Sequence, residues 1–246
     1  MNRISTTIGW ADFALNPYPG CWGPGGTSEK PKWCPYCYAR RIAERFRGTA
    51  AWPNGFDPTP RLGRLEELGH IKKPSIIFMG DAGDIFGAWV PPEDIRHIIT
   101  ATQIAPSHTY LFLTKNPARY AGFTPWPPNC WLGVAVTGNR MFQEAFDAMC
   151  HLNARIRFLS IEPLLSPLLI QGDMLAVFNW LVIGCETGRR PDKVTPRREW
   201  IEEIEGAADR FGIPIWEKDS REMRALLGRP LRQERPDFGC SANAAL

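Results

Sequence analysis

Residues 131–136 read WLGVAV, residues 137–155 read TGNRMFQEAFDAMCHLNAR, and residues 156–161 read IRFLSI. The two apolar runs show no alternation of apolar and polar positions, while residues 139–151 between them carry a helical pattern. Short, near-continuous apolar runs suit parallel strands buried on both faces. Strand, helix and strand at this spacing make a βαβ unit.

Working outward, the same unit recurs. Apolar runs fall at residues 75–79 (SIIFM), 110–114 (YLFLT), 180–184 (WLVIG) and 213–217 (IPIWE). Helical patterns fall at residues 92–104, which open on prolines and repeat Ile95, Ile98, Ile99 and Thr102, and at residues 196–211. Residues 35–47 place Tyr38, Ile42 and Phe46 on one apolar stripe, with Arg40, Arg41, Glu44 and Arg45 beside it. A first strand near residues 5–10 brings the count to six or seven. The expected fold is α/β, a partial (β/α)6-type TIM-like barrel with parallel strands. It forms a single domain over residues 1–246, with irregular segments at 51–73 and in a tail from about 229 to 246.

Composition narrows the function classes. With 44% hydrophobic and 22% charged residues, the chain can bury a core and is not of a disordered composition. No run of about 18 apolar residues is present, so no membrane span is expected. The opening MNRISTTIGWADF has no apolar signal region, which points to a reducing cytoplasm. Seven cysteines, an odd number, argue against a disulfide framework. A net charge of +3 does not by itself identify a nucleic-acid partner.

The cysteines are unevenly spread. Cys130, Cys150 and Cys185 border apolar segments and read as small buried hydrophobes, and Cys240 lies in the tail. Cys21, Cys34 and Cys37 instead cluster as Cys-x12-Cys-x2-Cys in the loop after the first strand, at the start of the first helix. Two readings fit them. One is a zinc site whose fourth ligand is not evident nearby. The other is a [4Fe–4S] cluster held by three thiolates, with one iron open to a small molecule.

The segment Cys34-Pro-Tyr-Cys37, with Tyr36 just before the last cysteine, resembles the cluster loop of radical S-adenosylmethionine enzymes. Their usual first gap is three residues; here it is twelve. Along most of its length the chain resembles a phage-associated family of radical-SAM-like proteins known by its three-cysteine motif. The matching strings are TTIGWADFALNPYPGC, CPYCYARRIAERF, FMGDAGDIFGAWVP, YLFLTKNPARY, WLGVAVTGN, RFLSIEPLL, WLVIGCETGRRP and IPIWEKD.

The resemblance implies a [4Fe–4S] cluster on Cys21, Cys34 and Cys37, S-adenosyl-L-methionine chelated at its open iron, and an electron donor such as flavodoxin. Cleavage of the sulfonium then yields a 5′-deoxyadenosyl radical that abstracts hydrogen from substrate. Barrel loops converge at the C-terminal ends of the strands, so strand-end residues are the site candidates. For cofactor binding these are Tyr36, the Gly80, Asp81, Gly83 and Asp84 of the loop after residues 75–79, Thr114 and Ser160. For catalysis they are Lys115, Glu162 and Glu186. Trp216 reads as core.

Arg189, Arg190, Lys193 and Arg197 follow the strand at 180–184 and, with tryptophans in the loops, suit phosphates and a displaced base. The expected substrate is therefore DNA or a nucleotide-linked group. The expected activity is remodelling, including isomerisation, of a base or base-linked amino-acid group in phage DNA, in the host cytoplasm if phage-encoded. The alternatives are a radical DNA-repair lyase and a non-catalytic, zinc-stabilised nucleic-acid-binding protein.

Overall fold

The computed structural model describes every residue except 5–7, 188–189 and 238–246. Eight strands form one sheet in strict sequence order. They are β1 (Asn2–Arg3), β2 (Phe13–Leu15), β3 (Ile76–Met79), β4 (Thr109–Thr114), β5 (Cys130–Val136), β6 (Ile156–Ile161), β7 (Trp180–Ile183) and β8 (Ile215–Glu217). Strands β2 to β8 are parallel neighbours and only β1 runs antiparallel. The helices are α1 (Tyr38–Arg45), α2 (Pro92–Ile104), α3 (Asn139–Met149), α4 (Arg198–Arg210) and α5 (Arg221–Leu227). This is the open, parallel barrel-like α/β sheet expected from the sequence.

The first strand is a correction. It was expected near residues 5–10, of which 5–7 lie outside the described residues. The strand that enters the parallel sheet is the short β2, pairing Phe13–Leu15 with Ile77–Met79. Gly9 turns with φ +80° and Trp10 is buried, so this segment supplies core rather than strand.

Alternation within each strand sends one set of side chains to the helices and the other to the concave face. Leu132, Val134 and Val136 of β5 join the helix-side core, where α2 contributes Ile95 and Ile98 and α4 contributes Ile201 and Ile204. Trp131 of β5, Phe158 of β6 and Trp180 of β7 face inward with Trp10 and Phe78. The Trp10 ring centroid lies 4.9 Å from that of Phe78 on β3, 6.0 Å from Phe158 and 5.8 Å from Trp180. In a flat sheet β3 and β7 would stand about 19 Å apart, at about 4.8 Å per strand. One ring can touch both only because the sheet curls around it.

Sheet register sets the inward side chains in rows. One row is Leu113, Gly133, Phe158 and Trp180; the next, toward the C-terminal ends, is Ala135, Ser160, Val182 and Trp216. Phe158 and Trp180 put aromatic bulk in the first row, and Ala135, Ser160 and Val182 leave room in the second. Trp216 is buried, as expected of core. The curl stops short of closure, and the free edge of β8 is covered. Gln233 bridges to Trp216, Trp180 Nε1 donates to the Glu234 carbonyl at 2.9 Å, and Arg235 donates to the Gly9 carbonyl at 3.1 Å. The described start of the tail, irregular in secondary structure, is therefore strapped to the sheet. Buried Glu217 holds it by accepting from Arg229 at 2.8 and 3.0 Å and from the Arg232 N–H at 2.7 Å. No described helix is long and apolar enough to cross a membrane.

Gly133 gives the packing a test. A Cβ there would stand 2.1 Å from the Phe158 ring. Gly133→Ala is expected to lower unfolding free energy by about 1–3 kcal/mol in urea titration, and Phe158→Leu in the same chain to recover part of the loss. Strictly additive losses would show that the two positions do not share space.

Candidate active site

The second inward row opens into a cavity of about 450 Å³ at the C-terminal ends of the strands. Its floor is apolar, with Ile8, Trp10, Phe78 and Leu113; its walls carry strand-end polar residues, and Cys21, Cys34 and Cys37 all border it. A broader depression near Met1, Glu67 and Lys73, by the N-terminal ends of β2 and β3, includes none of these cysteines.

The long first cysteine gap is explained by local folding. Residues 22–33 form an excursion pinched at its base, where the Lys32 N–H donates to the Trp22 carbonyl at 2.7 Å and Trp33 Nε1 to the Cys21 carbonyl at 2.8 Å. The pinch needs glycine, since a Cβ on Gly23 would stand 1.9 Å from the Lys32 carbonyl oxygen and Gly23 sits at φ +81°. The ends of the twelve-residue insert are therefore brought together. Cys21 is anchored through its N–H to the Phe56 carbonyl at 3.0 Å, and the Cys37 N–H closes a turn on Cys34 at 3.0 Å.

Two of the three sulfurs accept backbone hydrogen bonds, Cys21 from Gly23 at 3.1 Å and Cys37, the N-cap of α1, from Arg40 at 3.4 Å. Burial nevertheless pushes both thiols up from their ordinary value. Among the described residues no three His, Cys, Asp or Glu side chains converge as ligands of one metal ion. Three thiols thus border one cavity, and backbone N–H groups are turned to two of them.

The other expected residues fall around the same cavity. After β3, Gly80 turns at φ +87° and Asp81 and Asp84 enter the wall. Asp84 accepts from Thr114 Oγ1 at 2.7 Å and from the Lys115 and Phe86 N–H groups at 3.0 Å, so it ties the β3 loop to the end of β4. Asp81 accepts from Asn16 at 2.5 Å through one oxygen; its other oxygen has no side-chain partner among the described residues. Burial raises both carboxyls above the usual range. Lys115 forms no ion pair among the described residues and stands 5.9 Å from the centre of the Tyr36 ring.

Glu162 is paired with Lys218 across the gap between β6 and β8. Glu186 accepts from Arg190 at 2.8 and 3.0 Å, and this guanidinium holds its carboxyl below the ordinary value. Lys193 pairs with Glu222 at 2.6 Å and Arg197 lies 5.9 Å from the Trp200 ring centre. Two of the four basic residues expected to meet phosphate are therefore engaged in ion pairs, and Arg189 lies outside the described residues.

Sequence reasoning missed Asn16, whose side chain holds both Asp81 and the Ala82 N–H, because the strand it follows was misplaced. Lys218, which closes the last apolar run in the sequence reading, was given no role there, although it lines the cavity as the other strand-end residues do. Cys185, expected as a plain buried thiol, borders the cavity, and burial pushes it up to about 11. Cys130 is buried as expected, Cys150 is half-buried, and Cys240 lies outside the described residues.

Ser160 is 1% exposed, borders the cavity, and its Oγ has no partner among the described residues. A buried hydroxyl without a partner costs stability that a ligand can return. Ser160→Ala is expected to leave the ligand-free protein equally stable or up to about 1 kcal/mol more stable in urea titration. A loss above about 1 kcal/mol would show that the hydroxyl is already paired.

No curated protein matches the chain. Among solved structures it is similar to spore photoproduct lyase complexed with dinucleoside spore photoproduct, at 10% identity and a TM-score of 0.44, covering 82% of this chain and 73% of that one. It is likewise similar to a mutant of that lyase with bound AdoMet and dinucleoside spore photoproduct, at 10% identity and a TM-score of 0.43, covering 81% and 61%. Residues 5–227 match the family model described as protein of unknown function, DUF5131, and with most of its length inside that match the chain belongs to this family.

Proposed function

We propose that the protein is a radical S-adenosylmethionine enzyme acting on a nucleotide-linked substrate. The observation that carries this reading is that Cys21, Cys34 and Cys37 border one cavity at the C-terminal ends of a parallel barrel-like sheet. These thiolates are the ligands for a [4Fe–4S] cluster, with S-adenosylmethionine beside it. When bound, that pair supplies one-electron chemistry and a 5′-deoxyadenosyl radical able to abstract hydrogen.

The protein's own groups position and seclude. Asp81, with one oxygen unshared by side chains, accepts from an ammonium, and unpaired Lys115 holds a carboxylate. Ser160 offers a hydroxyl to a polar atom at the floor, and Gly80 and Gly83 let backbone approach closely. Tyr36 packs beside Lys115, and Thr114 keeps Asp84 in place. The ion pairs Glu162–Lys218 and Glu186–Arg190 form the facing wall, where a substrate's polar groups meet fixed charges. Ile8, Trp10, Phe78 and Leu113 keep water from the floor, which protects a reactive carbon centre from side reactions. The finer reading is a base, or an amino-acid-derived group carried on one, in phage DNA; the family resemblance in the sequence supports it.

Anaerobic reconstitution with iron and sulfide tests the reading. Brown protein with about four irons and four sulfides per chain is expected. Cys34→Ala is expected to lose the colour, and Cys150→Ala, away from the cavity, to keep it. Added reductant and S-adenosylmethionine should then give 5′-deoxyadenosine. Colourless protein retaining one zinc, or a Cys34→Ala variant with full iron content, would overturn the proposal.

A further inference from the structure

The stripe on α1 points outward. The helix buries Ala39 and Ala43 against Phe56, and leaves Tyr38, Ile42 and Phe46 at 47%, 45% and 47% exposure. At 3.6 residues per turn Arg41 and Arg45 share that outer face. Neither forms an ion pair among the described residues, and Arg45 lies 5.6 Å from the centre of the Phe46 ring. The one acid of the helix, Glu44, is taken by both Arg47 nitrogens at 2.8 and 2.9 Å. An uncompensated basic surface thus alternates with exposed aromatic and aliphatic groups over two turns. It is continuous with the cavity, since Tyr38 borders the cavity and donates to the Asp81 carbonyl at 2.7 Å.

We infer that this face of α1 is the track for a nucleic-acid strand whose reacting nucleotide enters the cavity, an inference that rests on the nucleotide-linked reading of the site. Arg41 and Arg45 lie about 6 Å apart along the helix at 1.5 Å per residue, close to the spacing of neighbouring phosphates in an extended strand. Tyr38 and Phe46 offer rings on which unpaired bases stack, a sequence-tolerant contact. An acidic protein surface would satisfy the arginines, but it would leave unexplained why the stripe runs into a cavity that admits only a small group. Arg190 and Lys193 are engaged in ion pairs, whereas Arg41 and Arg45 are not.

The test is fluorescence anisotropy of a labelled single-stranded oligonucleotide of about 12 residues, titrated with the full-length chain. Arg41→Glu with Arg45→Glu is expected to weaken binding at least tenfold and, at about 0.7 per phosphate contact, to lower the slope of log affinity against log salt by about 1.4. Phe46→Ala is expected to weaken binding about fivefold or more. The control, Arg140→Glu with Arg210→Glu, makes the same charge change on exposed residues of α3 and α4 and is expected to shift affinity less than threefold. Circular dichroism checks that each variant is folded.

Equal losses in both double variants would overturn the α1 assignment and leave the cavity reading standing. So would displacement of the oligonucleotide by polyglutamate at equal charge, which marks a surface for acidic protein. Wild-type protein that binds no oligonucleotide would overturn the nucleic-acid reading as well. Binding lost only in the α1 variants, in protein that takes up no iron, would uphold this inference while the radical reading fails.

Discussion

Trp10 is the body around which the sheet bends. Its indole meets β3 on one side and β6 and β7 on the other, so the strands cannot flatten without stripping apolar surface from the largest group in the interior. Full burial of an aromatic side chain of this size is worth several kcal/mol relative to truncation. The plug also decides where the protein is hollow. Aromatic rings occupy the lower inward row, and Ala135, Ser160 and Val182 stand above them, so space is left only toward the C-terminal ends. Those are the ends where every loop that carries a polar candidate emerges.

The cysteine loop depends on the same geometry. Gly20 bridges to Gly83, tying the loop to the turn after β3, and the pinch at Gly23 removes the twelve-residue insert from the path between Cys21 and Cys34. Sequence distance between the first two thiols therefore overstates their separation in the fold. The base of the insert is held by the Trp22–Lys32 and Cys21–Trp33 hydrogen bonds.

Much of this was legible in the sequence because doubly buried strands need near-continuous apolar runs and α2 announces itself with prolines. The strand ends followed, and Asp81, Asp84, Lys115, Ser160, Glu162 and Glu186 indeed gather at one cavity. Three things were not legible. β2 is only three residues long, too short for a periodicity to register, so Asn16 escaped notice. The outer direction of Tyr38, Ile42 and Phe46 was hidden because an apolar stripe does not say which face packs. Two small alanines allow the close approach to Phe56, and the larger residues are left outside. Lastly, charge runs do not reveal pairing: Arg190 and Lys193 read as free cations until the folded chain brings Glu186 and Glu222 to them.

That pairing sharpens what the cavity can bind. Around its rim most charge is cancelled within the protein: Glu162 by Lys218, Glu186 by Arg190, and Asp84 by a ring of hydrogen-bond donors. Outside those pairs stand Asp81 after β3, which also feels the Arg64 guanidinium, and Lys115 after β4, which feels the Asp84 carboxylate, on adjacent strands. On the proposed reading, this carboxylate and this ammonium on neighbouring strand ends meet a ligand that carries both opposite charges. Desolvation holds Asp81 above its ordinary value, and an arriving ammonium would favour its charged form. On the proposed reading, recognition of an amino-acid-like head group at this rim depends on two neighbouring strand ends.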